Sequence, residues 1–247
     1  MINRHLDPYG YMIPEIFNDE EPAYDPNLPL HIEDECKVWL DGKDAGQFTL
    51  DGTYVDDWIG KGSLGVHAAN TNADATRPTY DPETGIVTFT AANNTFLQSA
   101  AFASELSQPN TVFVVAKYTA HNNNAILVCG AAVEKRHQIY EGSTNFGLYA
   151  GIVLADGARN LNNNIHVALF NGVSSEYWIN GVSVASGDVG TQNLNGVTLG
   201  SHEDIASQFP DAEIMEVIVY NADISDVDRD KITGYLANKW DITATTD

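Results

Sequence analysis

Short runs of β-branched and aromatic residues, separated by turn residues and not by helical periods, recur from residue 36 to residue 220 and leave this chain little to fold into but sheet. They stand at Cys36 to Leu40, Ile86 to Thr90, Thr111 to Tyr118, Ala125 to Cys129, Phe146 to Leu154, Ile165 to Phe170, Glu176 to Ile179, Val182 to Ala185, Val197 to Leu199 and Glu213 to Tyr220. Asn171-Gly172, Asn180-Gly181 and Asn195-Gly196 lie between or beside such runs. Asn-Gly favours a tight hairpin because both central positions need positive φ, so Glu176 to Ala185 reads as one hairpin. Strands in this rhythm with no intervening helices predict an all-β, antiparallel two-sheet jelly-roll sandwich. Thr111 to Tyr118 is apolar on both faces at its centre, which predicts a central strand covered on both sides.

One helix is predicted near the end. Ser225 can cap it, Asp226, Asp228 and Asp230 suit its positive N-terminal end, and Ile232, Tyr235, Leu236 and Trp240 recur at three- and four-residue spacing. That stripe is expected on the edge of the sandwich.

The chain divides into an arm at 1–33, a sandwich at 34–242 and a tail at 243–247. The arm has prolines at 8, 14, 22, 26 and 29, each of which fixes φ and removes an amide donor, so an extended segment is expected. Tyr9, Tyr11, Ile13, Ile16, Phe17 and Tyr24 give it more apolar mass than a solvated tail carries. Those residues either wrap back over the chain's own domain or dock onto another protein; a partner-binding arm is the expectation, with Asp19 to Glu21 facing a basic patch.

Against 34 acidic residues stand 12 basic ones, a net charge of −22. That balance argues against nucleic acid, whose binding depends on clustered Lys and Arg, and against anionic membranes. No stretch approaches the ~20 apolar residues of a membrane span, and the first residues lack the features of a signal peptide. Cys36 and Cys129 are too few and too far apart for a disulfide scaffold or a zinc motif, and both are expected reduced. The histidines never pair at metal-binding spacing. Calcium is the one metal the acid-rich stretches Asp41 to Asp44, Asp51 to Asp57 and His202 to Asp204 would serve, though none forms a defined loop, and no cofactor is expected.

Three segments near the start, Cys36-Lys-Val-Trp-Leu-Asp-Gly-Lys-Asp44, Val55-Asp-Asp-Trp58 and Arg77-Pro-Thr-Tyr80, resemble the opening of laminin-G-like domains of the concanavalin A-like superfamily. Ser107 to Val115, the Ile179-Asn-Gly181 turn, Glu213 to Asn221 and Tyr235-Leu-Ala-Asn-Lys-Trp240 are similar to the rest of that pattern in order. The resemblance spans 34–242. It implies a jelly roll that binds glycans or proteins, with Trp39, Trp58 and Trp240 as packing residues. It also implies a virion component of a phage, since such domains occur on capsid decoration and tail-fibre proteins. On that expectation the arm fastens to other virion proteins, the displayed domain adheres to glycans, trimers are plausible, and the chain is no enzyme. The rivals are a cell-surface adhesin or carbohydrate-binding module, and a polysaccharide hydrolase or lyase. Catalytic members of the superfamily carry Glu-x-Asp-x-x-Glu on one strand, and Asp211, Glu213 and Glu216 match its spacing with the first two types exchanged.

A sugar site needs an aromatic plate with amides and acids around it. If Tyr177 and Ile179 point to the core, Trp178 is exposed beside Glu176. Asn122, Asn123 and Asn124, and the similar run at 162–164, offer amide donors and acceptors. Trp178, Glu176 and Asn122 to Asn124 are the expected glycan contacts.

Overall fold

The computed structural model describes residues 27–31, 36–72 and 74–246. Tyr9, Tyr11, Ile13, Ile16, Phe17 and Tyr24 of the expected arm lie outside the described residues. In chain order the strands are β1 (Cys36–Asp41), β2 (Phe48–Asp51), β3 (Tyr54–Ile59), β4 (His67–Ala69), β5 (Thr79–Asp81), β6 (Ile86–Phe89), β7 (Leu97–Gln98), β8 (Asn110–Tyr118), β9 (Ala125–Cys129), β10 (Gln138–Glu141), β11 (Asn145–Tyr149), β12 (Val153–Ala158), β13 (Asn164–Phe170), β14 (Ser175–Ile179), β15 (Val182–Gly187), β16 (Thr198–Leu199) and β17 (Ala212–Tyr220). Two α-helices accompany them among the described residues, the single turn α1 (Leu28–His31) and α2 (Asp226–Trp240).

All pairings are antiparallel. One half runs β1–β17–β8–β13–β14–β15. The other runs β2–β3–β4–β7–β16–β9–β10–β11–β12. The halves are joined, because β6 pairs with the start of β17, β5 pairs with β6, and Tyr54 of β3 faces Thr79 of β5. The expected pair of separate sheets is corrected accordingly: the seventeen strands form one sheet that curls round on itself. It stops short of closure at β12 and β15, which pack together without a ladder. Gly157 on β12 lets the Ile179 and Val184 side chains come against its backbone there, since a Cβ would lie 2.9 Å from Ile179 Cδ1.

The curl encloses the larger core. Alternate residues of β8 (Val112, Val114, Ala116, Tyr118) point into it with Val217 and Val219 of β17 and Phe146 and Leu148 of β11. The intervening residues Phe113 and Val115 face the other way, into a second core under α2. Thr111 to Tyr118 is thus apolar on both faces because both are covered. The Ile232, Tyr235, Leu236 and Trp240 stripe covers the outer face of β1, β17, β8, β13 and β14, not an edge as expected, because those strands offer apolar residues outward as well as inward. Ser225 Oγ caps the helix by accepting from the Asp228 N–H at 3.2 Å. Cys36 and Cys129 are separate buried thiols, each pushed up to about 12 by burial.

The run from Phe146 to Leu154 is two strands, not one, broken at Gly151, whose φ of +113° few other residues adopt. Asn180 and Gly181, at φ 52° and 78°, make the expected hairpin turn. Asn171-Gly172 instead starts a 3₁₀ turn.

Candidate functional site

The outer face of β9, β10 and β11 carries a groove lined by aromatic, amide and basic side chains. Because Ile139, Phe146 and Leu148 fill the core, strand alternation turns Gln138, Tyr140 and Tyr149 outward. Together with the loop from His202 to Gln208 they line a groove of about 240 Å³. Tyr140 lies close over Gly147, where a Cβ would come within 2.9 Å of its ring. The Arg136 guanidinium sits over the Tyr149 ring, 5.1 Å from its centroid. It pairs with the buried carboxylate of Glu203, and its Nη1 lies 2.8 Å from His202 Nε2. Burial opposes the Arg136 charge, but contact with Tyr149 and Glu203 more than restores it and raises its pKa.

Two features set this groove apart. Of the eight buried side-chain polar atoms without a hydrogen-bond partner among the described residues, three, Arg136 Nε, His202 Nδ1 and Gln208 Oε1, belong to residues that line it, a state that costs about 1–3 kcal/mol per group. The backbone around the groove is also strained. Seven residues other than glycine have positive φ among those described. Asn94 ends a 3₁₀ turn, Asn180 makes a hairpin and Asp241 ends α2. The remaining four, Asn124, Glu134, Ile205 and Gln208 (φ 59°, 56°, 56° and 65°), all sit on or beside the loops of the groove. For β-branched Ile205 such a conformation is a real outlier, and strain of this kind gathers at ligand sites.

The expected contacts divide. Asn124 lines the groove. Asn122 is bound into the fold, its N–H donating to Glu141 Oε2 and its side chain to Asp211 Oδ2, each at 2.9 Å. Asn123 is exposed beside it. Trp178 is corrected from exposed to buried, at 7% exposure. The alternation was right in sense, but the face it points to is covered by α2, and the Arg229 guanidinium lies 4.5 Å from its ring centroid. Glu176 lines a second cavity of about 200 Å³ beside Trp178 and accepts from Ser183 Oγ at 2.6 Å.

Asp211, Glu213 and Glu216 do not assemble. Asp211 caps the Ala91 N–H and Glu213 faces Lys117. Glu216 is buried under α2, accepting from the Trp39 and Trp240 indoles at 2.7 and 2.6 Å and pairing with Lys239 at 2.8 Å. The three acid-rich stretches each hold a base: Asp41 and Asp44 pair with Lys61, Asp51 and Asp56 with Arg77, and Glu203 with Arg136. Among the described residues no group of three or more His, Cys, Asp or Glu is placed to hold a metal ion.

No protein-family model and no curated protein matches this sequence. Solved structures match its fold. A mutant of Trypanosoma rangeli sialidase displaying trans-sialidase activity superposes with a TM-score of 0.55 at 12% identity, over 88% of this chain and 36% of that one. The Trypanosoma rangeli sialidase gives 0.51 at 11% identity, over 86% and 34%. Domain 4 of AbnA, a GH43 extracellular arabinanase from Geobacillus stearothermophilus, aligns over 83% of this chain and 98% of its own, at 14% identity and a TM-score of 0.46. The chain spans about a third of the length of the sialidases it matches. At such identities the likeness is one of fold. It still corrects the expectation that the chain is no enzyme, since the same fold occurs in sialidases, one of them a mutant displaying trans-sialidase activity.

Proposed function

We propose that this chain is a carbohydrate-binding domain that holds a sugar in the groove between Tyr140, Tyr149 and Arg136. The observation that carries the proposal is the meeting of two outward tyrosines with a buried donor, Arg136 Nε, and a buried acceptor, Gln208 Oε1, that no protein group satisfies. A sugar ring offers an apolar face to stack on an aromatic plate and hydroxyls that both donate and accept. The fold is shared with 34% of a sialidase solved with 2,3-difluorosialic acid, which supports sugars as the ligand class but not any particular sugar for this groove. The virion reading rests on the laminin-G-like resemblance over 34–242, and its anchoring arm on residues outside those described; the groove depends on neither.

The test is a glycan array followed by calorimetry on the best binder. Tyr149→Ala is expected to weaken binding at least about tenfold, equivalent to ~1.4 kcal/mol, while the urea midpoint stays near wild type. Unchanged affinity in that variant would exclude the groove.

A further inference from the structure

Resting on that reading, we infer that the groove selects neutral sugars over anionic ones and that Glu203 is the residue that sets this selection. Among the described residues Arg136 is the one permanently charged base lining the groove, and its charge is already matched by Glu203, whose side chain is only 3% exposed. His202 lies between two carboxylates, 2.9 Å from Glu203 and 3.1 Å from Asp204. The site therefore sets two carboxylates against one permanent cation, within a chain of net charge −22. A sugar carboxylate entering here must either displace Glu203 from Arg136 or lie beside like charges in a partly desolvated place, where repulsion is little screened. A hydroxyl meets no such obstacle. Arg136 Nη1 is taken by Glu203 and His202, its Nε–H is a buried donor with no partner, and Gln208 supplies an acceptor, a pairing suited to neutral hydroxyls. The groove thus differs in chemistry from one that clamps a carboxylate with a free, bidentate arginine.

The full chain is tested on an array of neutral and acidic glycans, and then by calorimetry on matched pairs: methyl galactoside against the methyl glycoside of galacturonic acid, and lactose against sialyllactose. Wild type is expected to bind the neutral member at least tenfold more tightly. Glu203→Gln, which frees the Arg136 charge, is expected to narrow that ratio at least fivefold. Asp204→Asn, at an exposed position that leaves the buried pair intact, is expected to narrow it less and in the same direction. Wild type binding acidic glycans as tightly as neutral ones overturns the inference, as does a folded Glu203→Gln protein with an unchanged ratio. Should Glu203→Gln fail to fold, the wild-type ratio and the Asp204→Asn shift decide. Binding to no glycan of either kind refutes instead the reading on which the inference rests.

Discussion

Lys239→Met is expected to lose about 3–5 kcal/mol of stability, much of the ~5–15 kcal/mol a domain normally has. Lys239 is 4% exposed and bridges two buried carboxylates, Asp41 at 2.6 Å and Glu216 at 2.8 Å. Burial pushes the Glu216 carboxyl up, and the ammonium of Lys239 and the Trp240 indole work against that rise. Removing the ammonium leaves two like charges facing each other in a place water does not reach. Asp41 keeps Lys61 at 3.2 Å, so the greater burden falls on Glu216. Adding Glu216→Gln to Lys239→Met removes that stranded charge while an amide oxygen still accepts from an indole, so the double variant is expected to be more stable than Lys239→Met alone. Urea unfolding of the three proteins measures this. A loss below 1 kcal/mol in the single variant would mean that the cluster under α2 is solvated and does not anchor the helix.

Acid is expected to destabilise the protein well above the range where its carboxylates titrate. His137 and His166 are buried in the fold, and desolvation lowers them to about 4 and about 3 from an ordinary value of 6.5. His137 stacks on Phe170 with centroids 4.1 Å apart, and its Nε2 lies 2.9 Å from the Gln192 carbonyl oxygen. His166 Nδ1 lies 2.6 Å from Tyr177 Oη. The sign follows from linkage. Between pH 6.5 and 4 the unfolded chain takes up protons that the folded chain refuses, so stability falls with pH by roughly 1.4 kcal/mol per unit for each histidine. The loss from His137 is complete below about 4, and that from His166 below about 3. His137→Leu should remove one of the two contributions, and it strands no acceptor, because Gln108 Nε2 also donates to the Gln192 oxygen at 2.9 Å. Comparing the urea midpoints of wild type and variant at pH 7, 6, 5 and 4.5 isolates the histidine from every other group. Parallel pH profiles would show that His137 is not held neutral.

Much of the sheet was legible because its buried strands are apolar in sequence. β8 and β17 stand between two cores, so nearly every residue is apolar and the pattern cannot be missed. β2, β3 and β5 were not legible, because they lie at the acidic side of the curl and alternate polar with apolar residues over only three to six positions; β3 reads Tyr-Val-Asp-Asp-Trp-Ile. β10 hides for a related reason, since Ile139 is its one apolar residue in the core, the buried Glu141 is acidic, and Gln138 and Tyr140 face outward. The joining of the halves runs through β6 on β17 and then the single Tyr54–Thr79 pairing, long-range events with no local signal.

The site was legible in fewer places still. Asn124 was found through its amide, but Tyr140 and Tyr149 were passed over because neither has a polar motif beside it, and Arg136 because its partners lie 66 and 67 positions along the chain. A signal was nevertheless present. Two tyrosines at the outward positions of neighbouring strands, one of them opposite Gly147 in the ladder, mark a surface where a ring is laid flat over bare backbone. Trp178 misled because alternation gives the side of the sheet and not what covers it; the helix that does so begins 48 residues later at Asp226.

Amide chemical-shift mapping with the tightest-binding neutral glycan shows where the sugar sits. The proposed groove requires the perturbations to centre on Asn124, Arg136 to Tyr140, Gly147 to Tyr149 and His202 to Gln208, with the α2 face unchanged. Perturbations centred on Trp178, Glu176 and Arg229 instead would place the ligand in the cavity beside α2 and contradict the account given for Tyr140, Tyr149 and Arg136.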